Sequence, residues 1–135
     1  MDMFSQILGI TGFRVTHVDA NDTELHLSIA CTSGTGVCPR CGHTTTQVRQ
    51  RYPRIIRDLP MSGKACYLHV DIRYFDCLHC RHNFPESLHF VDPKRQQTTR
   101  YEASIFHQVR HTTVWYVAQQ EGLTDQVVAR IFIRQ

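Results

Sequence analysis

No run of residues approaches the roughly 20 consecutive apolar positions that a membrane-spanning helix needs, although 41% of the 135 residues are hydrophobic. A spanning helix is therefore excluded, and enough apolar material remains for a packed core. The start, Met1-Asp2-Met3-Phe4, puts no positive charge ahead of the short apolar stretch Ile7 to Ile10. A secretory leader is thus not expected, and the chain is assigned to the cytoplasm. Low-complexity tracts and internal repeats are also missing. Cysteines stand at 31, 38, 41, 66, 77 and 80. In a reducing compartment they do not read as a disulfide framework. The length suits one ordinary domain or two small ones.

Charge of one sign is scarce only locally. Residues 1–35 hold Asp2, Asp19, Asp22 and Glu24 against the single Arg14, whereas 36–92 and 93–135 each carry a surplus of +3. Basic charge thus lies with the motifs described next, which suits a polyanionic partner.

Cys38-Pro39-Arg40-Cys41-Gly42 and Cys77-Leu78-His79-Cys80 are two C-x-x-C pairs about 35 residues apart. Zinc takes a tetrahedron of thiolates or imidazoles, and each pair can supply two ligands from one tight turn. Gly42 suits the left-handed backbone such a turn can require. The reading is a structural Zn2+ held by Cys38, Cys41, Cys77 and Cys80, with Arg40 and Arg81 offsetting its charge. Three alternatives stand beside it: cysteines that are merely buried, a histidine ligand from His43, His79 or His82, and a redox C-x-x-C. The first fits Cys31 and Cys66, which lie in phase on apolar strand faces. A closed four-cysteine site has no open position for water, and the H-x-E with downstream P-C-x-x-C of zinc deaminases is missing, so no zinc catalysis is expected.

Residues 12–31 read as a β-hairpin, with Leu25, Leu27, Ile29 and Cys31 alternating with polar positions. Cys66 to Tyr74 alternate more clearly. Thr44–Tyr52 and Arg54–Leu59 are weaker strands separated by Pro53, and Leu59 to Gly63 reads as a turn. After Asp92-Pro93 the period becomes helical. Thr99 with Glu102 fits a capping box, and Tyr101, Ile105 and Val109 share a face. Further helices start near Thr113 and Thr124. The expected organisation is α+β: a β-hairpin and zinc ribbon over 1–92, then a small three-helix helix-turn-helix segment over 93–135.

Val114 to Ile133 carries the helix-turn-helix pattern: Val117 and Ala118, Gly122 at the turn, Leu123 inward, Thr124 as N-cap, and Val128 and Ile131 in the core. Glu121 departs from it, because an apolar residue is usual there. The last helix would enter a major groove. Its outward positions are Thr124, Asp125, Gln126, Ala129, Arg130 and Arg134, of which Thr124, Gln126, Arg130 and Arg134 are the base-reading candidates. Trp115 and Tyr116 are expected in the core or at phosphates. Phosphate candidates are Arg49, Arg51, Arg54 and Arg57 in the ribbon and Lys94, Arg95 and Arg100 at the junction.

The order Leu8-Gly9-Ile10, Cys38-Pro39-Arg40-Cys41-Gly42, Arg57-Asp58-Leu59-Pro60, Arg73-Tyr74-Phe75-Asp76-Cys77 and Asn83-Phe84-Pro85-Glu86 resembles the N-terminal region of ISL-three family transposases. Some relatives space the second cysteine pair more widely. The resemblance implies a bacterial module that binds the terminal inverted repeats of an insertion element as double-stranded DNA. In that family a ribonuclease-H-type DDE catalytic domain follows; its acidic ligands are not among these residues, so no enzymatic activity, membrane contact or small-molecule substrate is expected. Two rivals remain: an RNA-binding zinc ribbon using Tyr52, Tyr67 or Phe75, and a regulator that pairs with another copy or with the full-length transposase. Chelation is expected to unfold the chain.

Overall fold

The alternating Cys66–Tyr74 segment forms the middle of strand β6 (Lys64–Asp76), the spine of a five-stranded sheet. The computed structural model describes residues 2–135. Strands β1 (Phe13–Ala20) and β2 (Glu24–Cys31) form the expected antiparallel hairpin. Strand β2 runs parallel to the first half of β6, placing Leu25, Leu27 and Ile29 beside Cys66, Leu68 and Val70 on one face. A separate two-stranded ribbon, β3 (Gly36–Val37) with β4 (Thr44–Thr45), carries the first cysteine pair.

Strand β5 (Val48–Met61) covers the other edge of β6 and is unbroken, whereas the sequence suggested two strands parted by Pro53. The physical reason is position: β5 is the outer strand, where a proline nitrogen can face away from the ladder. The turn is also shorter than expected. It is confined to Ser62-Gly63, both with positive φ (54° and 75°), which suits the twist of a two-residue hairpin. Strand β7 (Asn83–Pro85) pairs with the far end of β6.

An N-terminal helix, α1 (Met3–Leu8), went unread in the sequence because six residues carry too little periodicity. Asp2 caps it by accepting from Ser5 N at 2.9 Å, and that amide holds the Asp2 carboxyl below its usual range. Leu8, Ile10 and Phe13 join Leu88, Phe90 and Val91 in the sheet core, where the rings of Phe13 and Phe90 meet edge to face with centroids 5.1 Å apart. Cys66 is fully buried there, and burial pushes its thiol up to about 11, so both it and the partly buried Cys31 act as apolar core residues.

Helices α2 (Thr99–Val109), α3 (Val114–Glu121) and α4 (Asp125–Arg134) follow, capped by Thr98, Thr113 and Thr124. The cap of α2 is thus Thr98, one residue before the expected Thr99. Glu102 then lies four residues past the cap, out of reach of a capping box. The three helices enclose their own core of Tyr101, Ile105, Val117, Ala118, Val128 and Ile131. No helix among the described residues is long and apolar enough to cross a membrane.

Helix α2 is tied to β5 by Asp58, which is 1% exposed and accepts from Thr98 Oγ1 and Arg100 Nε at 2.8 Å each, and from Arg100 Nη2. Asp58→Ala should lower the unfolding free energy by about 2–3 kcal/mol in a urea titration, less than for a wholly buried pair because Arg100 is partly exposed. A loss below about 0.5 kcal/mol would show that this tie does not hold the helices.

Candidate metal centre and nucleic-acid interface

Both cysteine pairs sit in matching backbone turns. Gly42 N donates to Cys38 O and Arg81 N to Cys77 O, each at 2.9 Å; Cys38 N and Cys77 N donate back to His43 O and His82 O at 2.9 and 3.0 Å. The residue after each pair takes a left-handed conformation, Gly42 at φ 79° and Arg81 at φ 63°. The end of β6 and the β3–β4 ribbon bring the two turns together. All four sulfurs lie within 4.8 Å of one another, with Cys38–Cys80 at 3.6 Å and Cys41–Cys77 at 3.4 Å. Zn–S bonds of about 2.3 Å in a tetrahedron place sulfurs about 3.8 Å apart. The quartet therefore fits such an ion, and the four cysteines are positioned to bind a metal.

The local field divides the quartet, with the Cys38 and Cys77 thiols lowered and those of Cys41 (to about 12) and Cys80 raised. The backbone amide of Cys80 and, against the effect of burial, that of His79 draw the Cys77 thiol down to about 6. Phe75 and Phe84 pack behind the sulfurs, and Gly36 lets the Phe75 ring approach: a Cβ there would lie 2.6 Å from the ring. The histidine alternatives stay outside the quartet. His43 and His79 stack on each other with centroids 3.8 Å apart.

The helices meet the sheet at Arg57, Asp58 and Leu59. The Arg57 guanidinium lies between the rings of Tyr67 and Tyr101, 5.2 Å from each centroid. It donates to Glu121 O, at the end of α3, at 2.9 Å. Glu121 also takes the Tyr101 hydroxyl at 2.7 Å and the Gln108 amide at 3.4 Å. The Tyr101 hydroxyl is pushed well above its ordinary range, first by burial and then by that bond. The unusual acid at position 121 is therefore the polar hub joining α2, α3 and β5. Leu59 adds to the helical core, and residues 96–98 zip onto the β5 edge through Arg57 N to Gln96 O (2.8 Å) and Thr98 N to Arg57 O (2.9 Å).

The structure sorts the DNA candidates. Val128 and Ile131 face the core, so the i, i+3, i+7 stripe of Gln126, Ala129 and Ile133 points away from it, with Ile133 79% exposed. Thr124 stays at the start of α4, its hydroxyl accepting from Val127 N at 3.2 Å. Arg130 is exposed at the border of this stripe, and Arg134 is turned aside onto the carboxylate of Glu102. Arg134 thus leaves the outward face assigned to it, and Ile133 takes its place. Sequence reasoning missed Ile133 because an apolar residue late in a helix reads as core.

Among the phosphate candidates, Arg57 and Arg100 are held on internal partners, Arg100 also donating to Leu8 O at 2.8 Å. Arg95 bonds Glu102 at 2.8 Å, and Arg54 donates to Arg95 O. Arg49 lies 3.7 Å from Asp76 and stays open to solvent. Arg51 and Lys94 are exposed. Strand alternation puts Arg51 opposite Arg73 and Arg54 opposite Val70, so the ribbon arginines do not form one row. Trp115 and Tyr116 are exposed, at 61% and 49%, and not in the core. Of the possible RNA-stacking aromatics, Phe75 is buried, Tyr67 is covered by His26 and Arg57, and Tyr52 alone is exposed.

Residues 34–80 match the family described as the zinc-finger of transposase IS204/IS1001/IS1096/IS1165. Residues 86–135 match the helix-turn-helix domain of transposase family ISL3. No curated protein and no solved structure matches the chain.

The two turns predict opposite responses. No atom lies within 4 Å of a Cβ added at Gly42, so Gly42→Ala carries only the left-handed backbone penalty and should destabilise by about 1 kcal/mol; Arg81→Gly should stabilise by a similar amount. Thermal midpoints of the metal-loaded variants read both, and equal signs would refute the matched geometry.

Proposed function

Because the chain belongs to the ISL3 family of transposases, we propose that it is the module with which such an enzyme grips double-stranded DNA at the terminal inverted repeats of its element. The observation that carries this is the exposed stripe of α4, mounted on a core that both α2 and the sheet hold in place. Gln126, at the N-terminal end, has the amide geometry to pair with adenine. Arg130 can reach guanine from the stripe's border, Thr124 lies at the groove-facing end, and Ile133 offers a methyl-contacting surface for thymine. Arg49, Arg51, Arg54 and Lys94 add sequence-independent phosphate contacts.

The boundary near residue 92 is part of this reading. Leu88, Phe90 and Val91 belong to the sheet core, and Tyr101 onward to the helical core. The module acts in the bacterial cytoplasm on nucleoid DNA and leaves strand chemistry to a separate DDE domain. Protein contact has one feature in its favour: Met3 and Ile7 expose 65% and 56% of their surface on α1, available to a second copy or to the full-length transposase. An RNA platform is disfavoured by the burial of Phe75 and the covering of Tyr67, and a competition between duplex DNA and RNA decides the matter.

We assign the quartet a structural Zn2+, held by Cys38, Cys41, Cys77 and Cys80. The metal would supply the cohesion that the small cluster around Phe75 and Phe84 lacks. That cluster is separate from the sheet core and the helical core. Chelation should therefore release residues 36–48 and 75–85 while α2 to α4 keep their helical circular dichroism, a narrower effect than global unfolding. A protein that holds no metal and keeps those amides protected from hydrogen exchange would end the zinc assignment.

Duplex binding is read by fluorescence anisotropy across a salt series. Affinity should fall steeply on a log–log plot, and Gln126→Ala should lose about 1–3 kcal/mol of discrimination between inverted-repeat and scrambled duplexes. An equal loss on both duplexes would remove Gln126 as a reader.

A further inference from the structure

We propose that the groove between the 92–97 turn and α4 is a phosphate site that grips the backbone of duplex DNA, with Glu102 as its positioning residue. This rests on the duplex-binding reading above. The groove, about 160 Å3 in volume, is lined by Lys94, Arg95, Val127, Arg130 and Arg134 among others. At about 30 Å3 per water, it has room for a tetrahedral oxyanion and part of its hydration.

Glu102 builds the site from below. It is 1% exposed, and its two oxygens take different arginines: Oε1 accepts from Arg95 Nη1 at 2.8 Å and Oε2 from Arg134 Nη2. One carboxylate cannot neutralise two guanidiniums. It spaces them and leaves donors unspent. The Arg134 side chain makes no other hydrogen bond among the described residues, its Nε being buried without a partner, and the Arg95 side chain adds only a weak 3.4 Å contact from Nη1 to Asp92. Lys94 and Arg130 are exposed with no carboxylate partner among the described residues. Four cations thus face two carboxylates around one groove.

The turn supports the same reading. Arg95 N donates to Asp92 O at 3.2 Å, and Pro93 and Lys94 occupy the turn's centre. Lys94 holds φ 64°, at the position of a type II turn that glycine fills with least strain. A lysine there keeps an ammonium over the groove at the expense of an easier backbone. The occupant follows from the neighbouring helix face. Val127, Arg130 and Arg134 line the groove, and Arg130 also borders the Gln126–Ala129–Ile133 stripe. An anion in the groove therefore lies beside whatever that stripe faces, as a strand phosphate lies beside a major groove.

Three variants of the full metal-loaded chain test this, with inverted-repeat and random-sequence duplexes as the probes and anisotropy over a salt series as the readout. Lys94→Gly should keep or raise the thermal midpoint while weakening every duplex alike, and should make the log–log salt slope shallower by about 0.9, the loss of one phosphate contact. Arg134→Gln should weaken binding and flatten the slope in the same way, with a lower thermal midpoint because the buried Glu102 loses one of its two partners. Glu102→Gln preserves shape and removes a negative charge, so bulk electrostatics predicts tighter DNA binding, whereas loss of a positioned arginine pair predicts weaker binding. If Glu102→Gln fails to fold, the other two variants decide. Unchanged slopes, a loss confined to one sequence, or tighter binding by Glu102→Gln would each overturn the site. Inorganic phosphate should displace the duplex beyond chloride at equal ionic strength, and that excess should vanish in Lys94→Gly; an excess unchanged by the substitution would overturn the site. Failure of the unsubstituted protein to bind any duplex would instead sink the underlying reading.

Discussion

The orientation of the three helices depends on two neighbouring side chains of β5 that point to opposite sides of the sheet. Arg57 goes to the end of α3, between two tyrosine rings, and Asp58 goes to the start of α2. Because a strand alternates its side chains, a single dipeptide can hold two helices at once. The polar atoms are nearly all accounted for. The Arg57 Nε lacks a hydrogen-bond partner, but its charge rests against two aromatic faces. Mutating Arg57 leaves the largely buried Glu121 carboxylate behind, whereas mutating Asp58 leaves the partly exposed Arg100, so the first contact constrains geometry more strongly than the second.

Cohesion is divided three ways. The sheet core, the helical core and the cluster behind the cysteines do not merge. The sequence-based expectation made the metal the platform for the helices. In the structure that platform is the middle sheet, and the metal centre lies beyond it, at the opposite end of the β5–β6 pair. The quartet shapes its own end of the sheet through Cys77 at the close of β6 and through Phe75, whose ring packs on Gly36.

Elements governed by local rules were legible in the sequence. The hairpin over 12–31, the alternation of β6, the helix starts at Thr113 and Thr124, and the convergence of two C-x-x-C turns all follow from period, capping and ligand spacing. What depended on tertiary neighbours was not. Pro53 reads as a breaker until β5 is known to be the outer strand. Arg57, Arg95, Arg100 and Arg134 read as solvent-facing cations until Asp58, Glu102 and Glu121 are brought to them. Long-range ion pairs leave no periodic trace, so a sequence overstates how many of its arginines are free. Glu121 illustrates the reverse: its mismatch with the helix-turn-helix pattern marked the position where the fold needed a carboxylate.

The β5–β6 pair also acts as a spacer. Val48, beside the cysteine quartet, and Arg57, beside α3, are nine residues apart along one strand, and a strand advances about 3.3 Å per residue. The roughly 30 Å between them is close to the 34–36 Å of one B-form turn. The strand pair, with a register shift between Val48 and Gln50, joins the cysteine-rich tip to the helical end and so sets how far apart the two reach along a cylinder. Inserting or deleting residues in pairs within this arm would retain the facing of its side chains while changing its reach, making the arm a ruler whose length evolution can adjust without redesigning either end.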